Sequence, residues 1–228
     1  MTTALLYKEF RETLPIAVVG LACLLLVALE AMGYSPLPNL WFGGRLIGAM
    51  PFVGYNDQFS SYFRMIAGGL ALALGFWHAL GDFWGEAHLF LLHRPVQRRT
   101  IYATKLVVGL VGYLLCAAAP ILLYGLWAAT PGTHASPFEW SMTLPAWESW
   151  FAMLTIYLGA FLSGLRPGAW VGTRLAPLAA AAGALAALQA LWMLSGGPLI
   201  VVYIVLLMAA DIALIVAILD TADARDFG

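Results

Sequence analysis

Charged side chains are scarce in this chain. Of its 228 residues only 10% are charged and 62% are hydrophobic, whereas a soluble domain carries about 25% charged residues and is roughly half apolar. Water would not dissolve a surface of this composition. The formal net charge of -1 also excludes the strongly basic surface that nucleic-acid binding requires. The composition therefore indicates an integral protein of a lipid membrane, with no nucleic-acid partner.

Cysteine and lysine are rare as well. Cys23 and Cys116 both lie inside apolar runs, away from any metal or redox spacing, which favours a role as small packing residues. The two lysines, Lys8 and Lys105, lie outside any Gly-Lys-Ser/Thr phosphate-binding motif. We therefore expect no ATP hydrolysis, no cofactor and no metal in this chain itself.

Six apolar stretches are long enough to cross a membrane. A bilayer core about 30 Å thick needs around 20 apolar residues per helix, and its lack of water forces each segment to satisfy its own backbone hydrogen bonds. The sequence thus predicts an all-α polytopic membrane protein, with one transmembrane domain over residues 1–228. The predicted spans are residues 15–32, 65–80, 106–129, 149–165, 175–194 and 198–219.

The positive charges fix the expected orientation, because short cytoplasmic loops keep lysine and arginine in excess. Apart from Arg45 and Arg64, every lysine and arginine falls on one side of the six spans. We therefore expect a multi-pass protein of the cell membrane, the inner membrane in bacteria, with both termini cytoplasmic. A cleavable secretory signal ending near residues 28–31 is an alternative for the first span, but it would leave five spans and spoil the charge alternation.

A short amphipathic helix is predicted before the first span, over residues 3–14. Apolar side chains recur there at four-residue spacing, and charged side chains occupy the other face. The apolar set is Leu6, Phe10 and Leu14, and the charged set is Lys8, Glu9, Arg11 and Glu12. Such a helix should lie flat on the inner leaflet.

The largest cytoplasmic loop, residues 82–99, has the pattern of a second surface helix. Phe83, Trp84 and Leu91 are apolar, polar residues alternate with them, and Pro95 stops the helix. The basic residues that follow, including Lys105, should extend their charges to the lipid headgroups. From composition alone this loop is a membrane-surface helix or a docking element for another protein.

The loop resembles that of type-2 ATP-binding-cassette exporter permeases, in which an acidic residue, a leucine pair, Pro-Val, an arginine and a lysine recur in this order. The matching residues are Glu86, Leu91, Leu92, Pro95, Val96, Arg98 and Lys105. The resemblance implies a coupling helix that docks on a separate ATPase subunit, which binds ATP and Mg. It also implies a second copy or a different permease as partner. The residues expected to couple to the ATPase are Phe83, Trp84, Glu86, Leu91, Leu92, Pro95 and Arg98.

Polar residues inside spans are costly and therefore informative. Asp211 lies near the middle of the sixth span and either lines a translocation path or bonds to a neighbouring helix. His78 and Asp82 are four residues apart on one helical face, where helix capping and local hydrogen bonds are favoured over a metal site shared with His88 and His93.

Small residues recur every four positions in two spans, a pattern typical of close helix packing within one subunit or between two. They are Ala179, Gly183 and Ala187 in the fifth span, and Gly159 and Ser163 in the fourth.

Two other functional classes remain open beside a permease. One is a membrane scaffold or assembly protein without transport. The other is an intramembrane enzyme, for which Ser163-Gly164 could suggest a serine protease; no histidine lies in a later span to act as its base.

Overall fold

The computed structural model describes residues 2–34, 58–84, 98–133, 137–166, 173–195 and 200–224. Six α-helices run through these residues, together with one 3-10 turn at Trp140–Thr143 that leads into the fourth helix. The helices are α1 (Thr2–Ala31), α2 (Gln58–Trp84), α3 (Arg98–Ala129), α4 (Leu144–Leu165), α5 (Ala176–Ser195) and α6 (Ile200–Ala224).

Five of the described helices, all except α5, are long and apolar enough to cross a membrane. The predicted all-α polytopic membrane fold is therefore confirmed. Helix α5 has 20 residues, and its stretch with described side chains, Ala176–Ala190, is apolar. Whether it crosses the membrane as the sixth span stays a prediction.

Helix α1 differs from the predicted arrangement of a surface helix followed by a span. Residues 3–14 are helical as predicted, but α1 continues without a break through Pro15 to Ala31. Its apolar face is the exposed one, with Phe10 58% exposed, whereas Glu9 is buried. The prediction of a charged face in water was thus wrong for Glu9. In a membrane protein lipid accommodates the apolar face, so Glu9 and Thr13 turn to the other helices, whereas Arg11 and Glu12 stay exposed.

Helix α4 lies at the centre of the bundle, where it contacts α2, α3, α5 and α6. Its most extensive contact is with α2. A Cβ atom at Gly75 of α2 would lie only 2.6 Å from the carbonyl oxygen of Tyr157, so the two backbones touch there. Gly164 makes a similar approach to Ala79. Glycine allows this contact because it has no side chain.

The outer surface of the bundle is apolar, as a lipid environment requires. Leu115 of α3 and Val201 of α6 are 67% and 68% exposed. The interior is apolar too, with aromatic side chains such as Phe63, Tyr113 and Phe161 almost fully buried. Apolar surfaces on both the inside and the outside agree with the membrane location inferred from the composition.

The small residues of the fourth and fifth spans have different roles. Gly159 of α4 faces α5, because a Cβ there would lie 2.7 Å from the Cβ of Ala181. Gly183 of α5 has no atom within 4 Å of such a Cβ, and Ala179 and Ala187 are exposed. The four-residue repeat of α5 is therefore not used for packing among the described residues, whereas Gly159 is.

Candidate functional site

A buried ion pair joins α1 to α3. The Nζ atom of Lys105 lies 3.6 Å from Oε2 of Glu9, and both side chains are only 2% exposed. The Nζ atom of Lys8 lies 3.2 Å from the other carboxylate oxygen of Glu9. The prediction that Lys105 extends to the headgroups was therefore wrong, because a buried carboxylate on α1 holds its charge inside the bundle.

His78 of α2 lies beside this ion pair. Its Nδ1 atom is 2.7 Å from the carbonyl oxygen of Leu74, one turn earlier, and its Nε2 atom is 2.8 Å from Oγ1 of Thr13. Lys105 also donates a hydrogen bond to the carbonyl oxygen of His78, at 3.4 Å. His78 thus makes the local hydrogen bonds that the sequence favoured. Among the described residues no three His, Cys, Asp or Glu side chains are grouped to hold a metal.

Helix α4 contributes Tyr157 to the site. The hydroxyl of Tyr157 donates to the carbonyl oxygen of Leu106, at 3.3 Å, and its ring meets the His78 ring edge-on. Both rings fit only because α3 has a glycine at position 109, where a Cβ would collide with them. We call Glu9, Thr13, His78, Lys105 and Tyr157 the Glu9–Lys105 cluster; it joins four helices.

The Glu9–Lys105 cluster lies near the predicted coupling loop. Helix α2 ends at Trp84, six residues after His78, and α3 begins at Arg98, seven residues before Lys105. At 1.5 Å per residue, the loop leaves the bundle roughly 10 Å from the cluster along each helix. Of the predicted coupling residues, Phe83 and Trp84 end α2 and Arg98 begins α3. Glu86, Leu91, Leu92 and Pro95 lie outside the described residues.

Other basic residues gather at this same end of the bundle. Arg99 of α3 lies 3.9 Å from Asp223 of α6, and Arg174 donates to the carbonyl oxygens of Ser163 and Gly164 at the end of α4. Since Gly164 touches Ala79, next to His78, these arginines and the cluster share one end. This agrees with the charge distribution used to predict the cytoplasmic side.

Asp211 lies apart from the cluster, in the contact between α4 and α6. The hydroxyl of Thr155 on α4 donates to its Oδ1 atom, at 2.8 Å. Asp211 is only 6% exposed, and its Oδ2 atom is buried without a hydrogen-bond partner among the residues that the structure describes. Of the two interpretations left open by the sequence, the bond to a neighbouring helix is present.

Sequence reasoning missed the Glu9–Lys105 pair, Thr13 and Tyr157. A signal was available for the first helix: Glu9, Thr13 and Ala17 are four residues apart and small or polar, in a stripe beside the large apolar side chains. In a membrane that stripe is the one expected to face other helices. No such signal links Lys105 to it, because pairing across two helices depends on the fold.

Comparison of the chain with protein-family models, with curated proteins and with solved structures finds no match. The functional conclusion therefore depends on the loop pattern and on the geometry described above.

Proposed function

We propose that the chain is the membrane-spanning permease subunit of an ATP-binding-cassette exporter. In this proposal a separate ATPase subunit, carrying ATP and Mg, docks on the loop over residues 82–99. A second copy of the chain or a different permease completes the complex in the cell membrane. Asp211 is then a candidate for the translocation path.

The observation that carries the proposal is the buried Glu9–Lys105 pair close to that loop. An ATPase subunit that displaces the loop acts first on the ends of α2 and α3, because the loop connects these two helices. The cluster ties both ends to α1, through the contact of Thr13 with His78 at 2.8 Å and the ion pair at 3.6 Å. Removing one partner of a buried pair costs about 3–5 kcal/mol, so the three helix ends resist separation.

The packing of α2 extends this connection to the centre of the bundle. Because the backbones of α2 and α4 touch at Gly75 and these two helices make the most extensive contact in the bundle, a displacement of α2 would also displace α4. Helix α4 in turn contacts α5 and α6. A force on one short loop would thus reach every described helix, as a permease driven by an external motor requires.

Co-purification in mild detergent tests the docking step. We expect an ATPase with a Gly-Lys-Ser/Thr motif to accompany the chain, and to be identified by mass spectrometry. Glu86→Ala, or the pair Leu91→Ala and Leu92→Ala, should release it, because each removes polar or apolar contact from the coupling segment.

Matched controls exist for both variants. Leu122 and Leu123 form an exposed leucine pair on α3, and Glu139 is an exposed acidic residue before α4. Their alanine variants should retain the ATPase. If no ATPase is recovered, or if the loop variants and the controls retain it equally, the transporter proposal fails and a membrane scaffold becomes the better conclusion.

A further inference from the structure

The carboxyl group of Asp211 is an isolated polar group halfway along α6. It is the twelfth residue of a helix of 25 residues. Ala152 of α4, Leu185 of α5 and Leu207 of α6 pack in one apolar cluster, and Leu207 lies one turn before Asp211 on α6. The next residue, Ile212, is 59% exposed, so the outer side of α6 at this level is apolar.

The two carboxyl oxygens have unequal environments. Oδ1 accepts the hydrogen bond from Thr155, at 2.8 Å. Oδ2 has less than 1 Å² of accessible surface and no hydrogen-bond partner among the described residues. An ionised carboxylate would therefore place negative charge on an oxygen that neither water nor a donor reaches. Such a charge is very costly in an apolar medium, whereas a neutral acid that misses one hydrogen bond loses only about 1–3 kcal/mol.

Among the described residues, Thr155 is the polar partner of Asp211, and no ion pair there includes this carboxyl group. Glu148, two turns before Thr155 on α4, is acidic and cannot neutralise it. On α4, Tyr157 bonds to Leu106, and on α3, Tyr113 bonds to Trp150 while Arg99 pairs with Asp223. Helix α5 contains no titratable residue. Tyr203, two turns earlier on α6, is buried in the cluster with Leu207.

We propose that Asp211 and Thr155 form a proton-binding site within the membrane, where Oδ2 carries a proton while α4 and α6 are packed together. The step is a simple acid–base equilibrium: a proton from water forms the Oδ2–H bond and leaves when the helices part. A larger cation is excluded by the enclosed position of Oδ2. This proposal does not depend on ATP-driven export; if export holds, each separation of α4 from α6 would release one proton.

Infrared difference spectroscopy of the protein in lipid vesicles tests the site. The spectrum of the wild type minus that of Asp211→Asn should contain the carbonyl band of one protonated carboxyl group at pH 6 and at pH 7. The control Asp223→Asn removes an exposed carboxylate paired with Arg99 and should leave that band intact. A difference spectrum without the band, or with a carboxylate band in its place, overturns the proposal.

The hydroxyl of Thr155 provides a second measurement, useful also if Asp211→Asn does not fold. Thr155→Val removes the donor to Oδ1 and should shift the protonated carbonyl band to higher frequency, whereas Thr155→Ser should keep it in place. A band that is absent, or that does not respond to Thr155→Val, contradicts the assignment. Loss of ATPase binding in the earlier experiment would leave these spectra unaffected, so the two proposals fail separately.

Discussion

Replacing Glu9 by glutamine should strongly destabilise the protein, whereas the same change at Glu12 should hardly affect it. Glu9 is buried and lies 3.6 Å from the buried ammonium group of Lys105. Glu12 is on the same helix, but its side chain is 43% exposed and its Oε2 atom lies 3.5 Å from Nζ of Lys8. The two variants therefore differ in burial while the chemical change is identical.

The size of the effect follows from this geometry. Two unit charges 3.6 Å apart attract by about 5 kcal/mol at an effective dielectric constant of ~20. Desolvation offsets part of that attraction, and breaking a buried pair by removing one partner typically costs about 3–5 kcal/mol. We expect a loss in this range for Glu9→Gln. An exposed pair spaced i,i+4 is worth only about 0.3–0.5 kcal/mol, which sets the expectation for Glu12→Gln.

Removing the other partner should cost less. In Lys105→Met, Glu9 still has the ammonium group of Lys8 at 3.2 Å, so its negative charge keeps a counterion. The double variant Glu9→Gln with Lys105→Met removes both buried charges, and it should be less destabilised than the sum of the single variants because the pair is coupled.

Equilibrium unfolding in mixed detergent micelles, followed by tryptophan fluorescence, measures these free energies. The reasoning is refuted if Glu9→Gln and Glu12→Gln cost the same within about 0.5 kcal/mol, or if the single variants add up without coupling.

Two further predictions concern helix packing and orientation. Gly75→Ala places a Cβ 2.6 Å from the Tyr157 carbonyl oxygen and should cost about 1–3 kcal/mol in the same unfolding assay. Gly69→Ala, on the same helix with nothing within 4 Å, should be neutral or stabilising by up to ~1 kcal/mol; equal losses would contradict the close contact. In a background without Cys23 and Cys116, Thr133→Cys should react with an impermeant maleimide in intact cells, and Arg94→Cys only after the cells are opened. The opposite labelling would exclude contact between the loop and a cytoplasmic ATPase.

The sequence was sufficient to predict the helices, because each apolar run is long and lipid allows little else. It was less reliable at their ends: α2 begins at Gln58 and extends to Trp84, whereas the predicted span covers 65–80. The polar residues at its ends continue the helix but lower the apolar average that marks a span.

Contacts between helices were harder to predict. The sequence favoured helix capping and local hydrogen bonds for His78, which shares a helical face with Asp82, and its bond to the Leu74 carbonyl is local. Its bond to Thr13 joins residues 65 positions apart, and no periodicity in the chain indicates it. The Glu9–Lys105 pair was missed for the same reason, and also because charged residues near a span are normally expected at the headgroups.

Helix α4 is the least apolar of the five candidate spans, although it is the one most enclosed by other helices. Ser149, Thr155 and Ser163 direct their hydroxyl groups to protein atoms rather than to lipid. The machinery that inserts nascent chains selects segments by their apolarity, so α4 has the weakest intrinsic signal for entering the bilayer. Its principal neighbour α2 precedes it in the chain. The ribosome therefore synthesises α2 before α4. When α4 emerges, the surface of α2 against which it packs is already present, and this order favours the insertion of a segment with low apolarity.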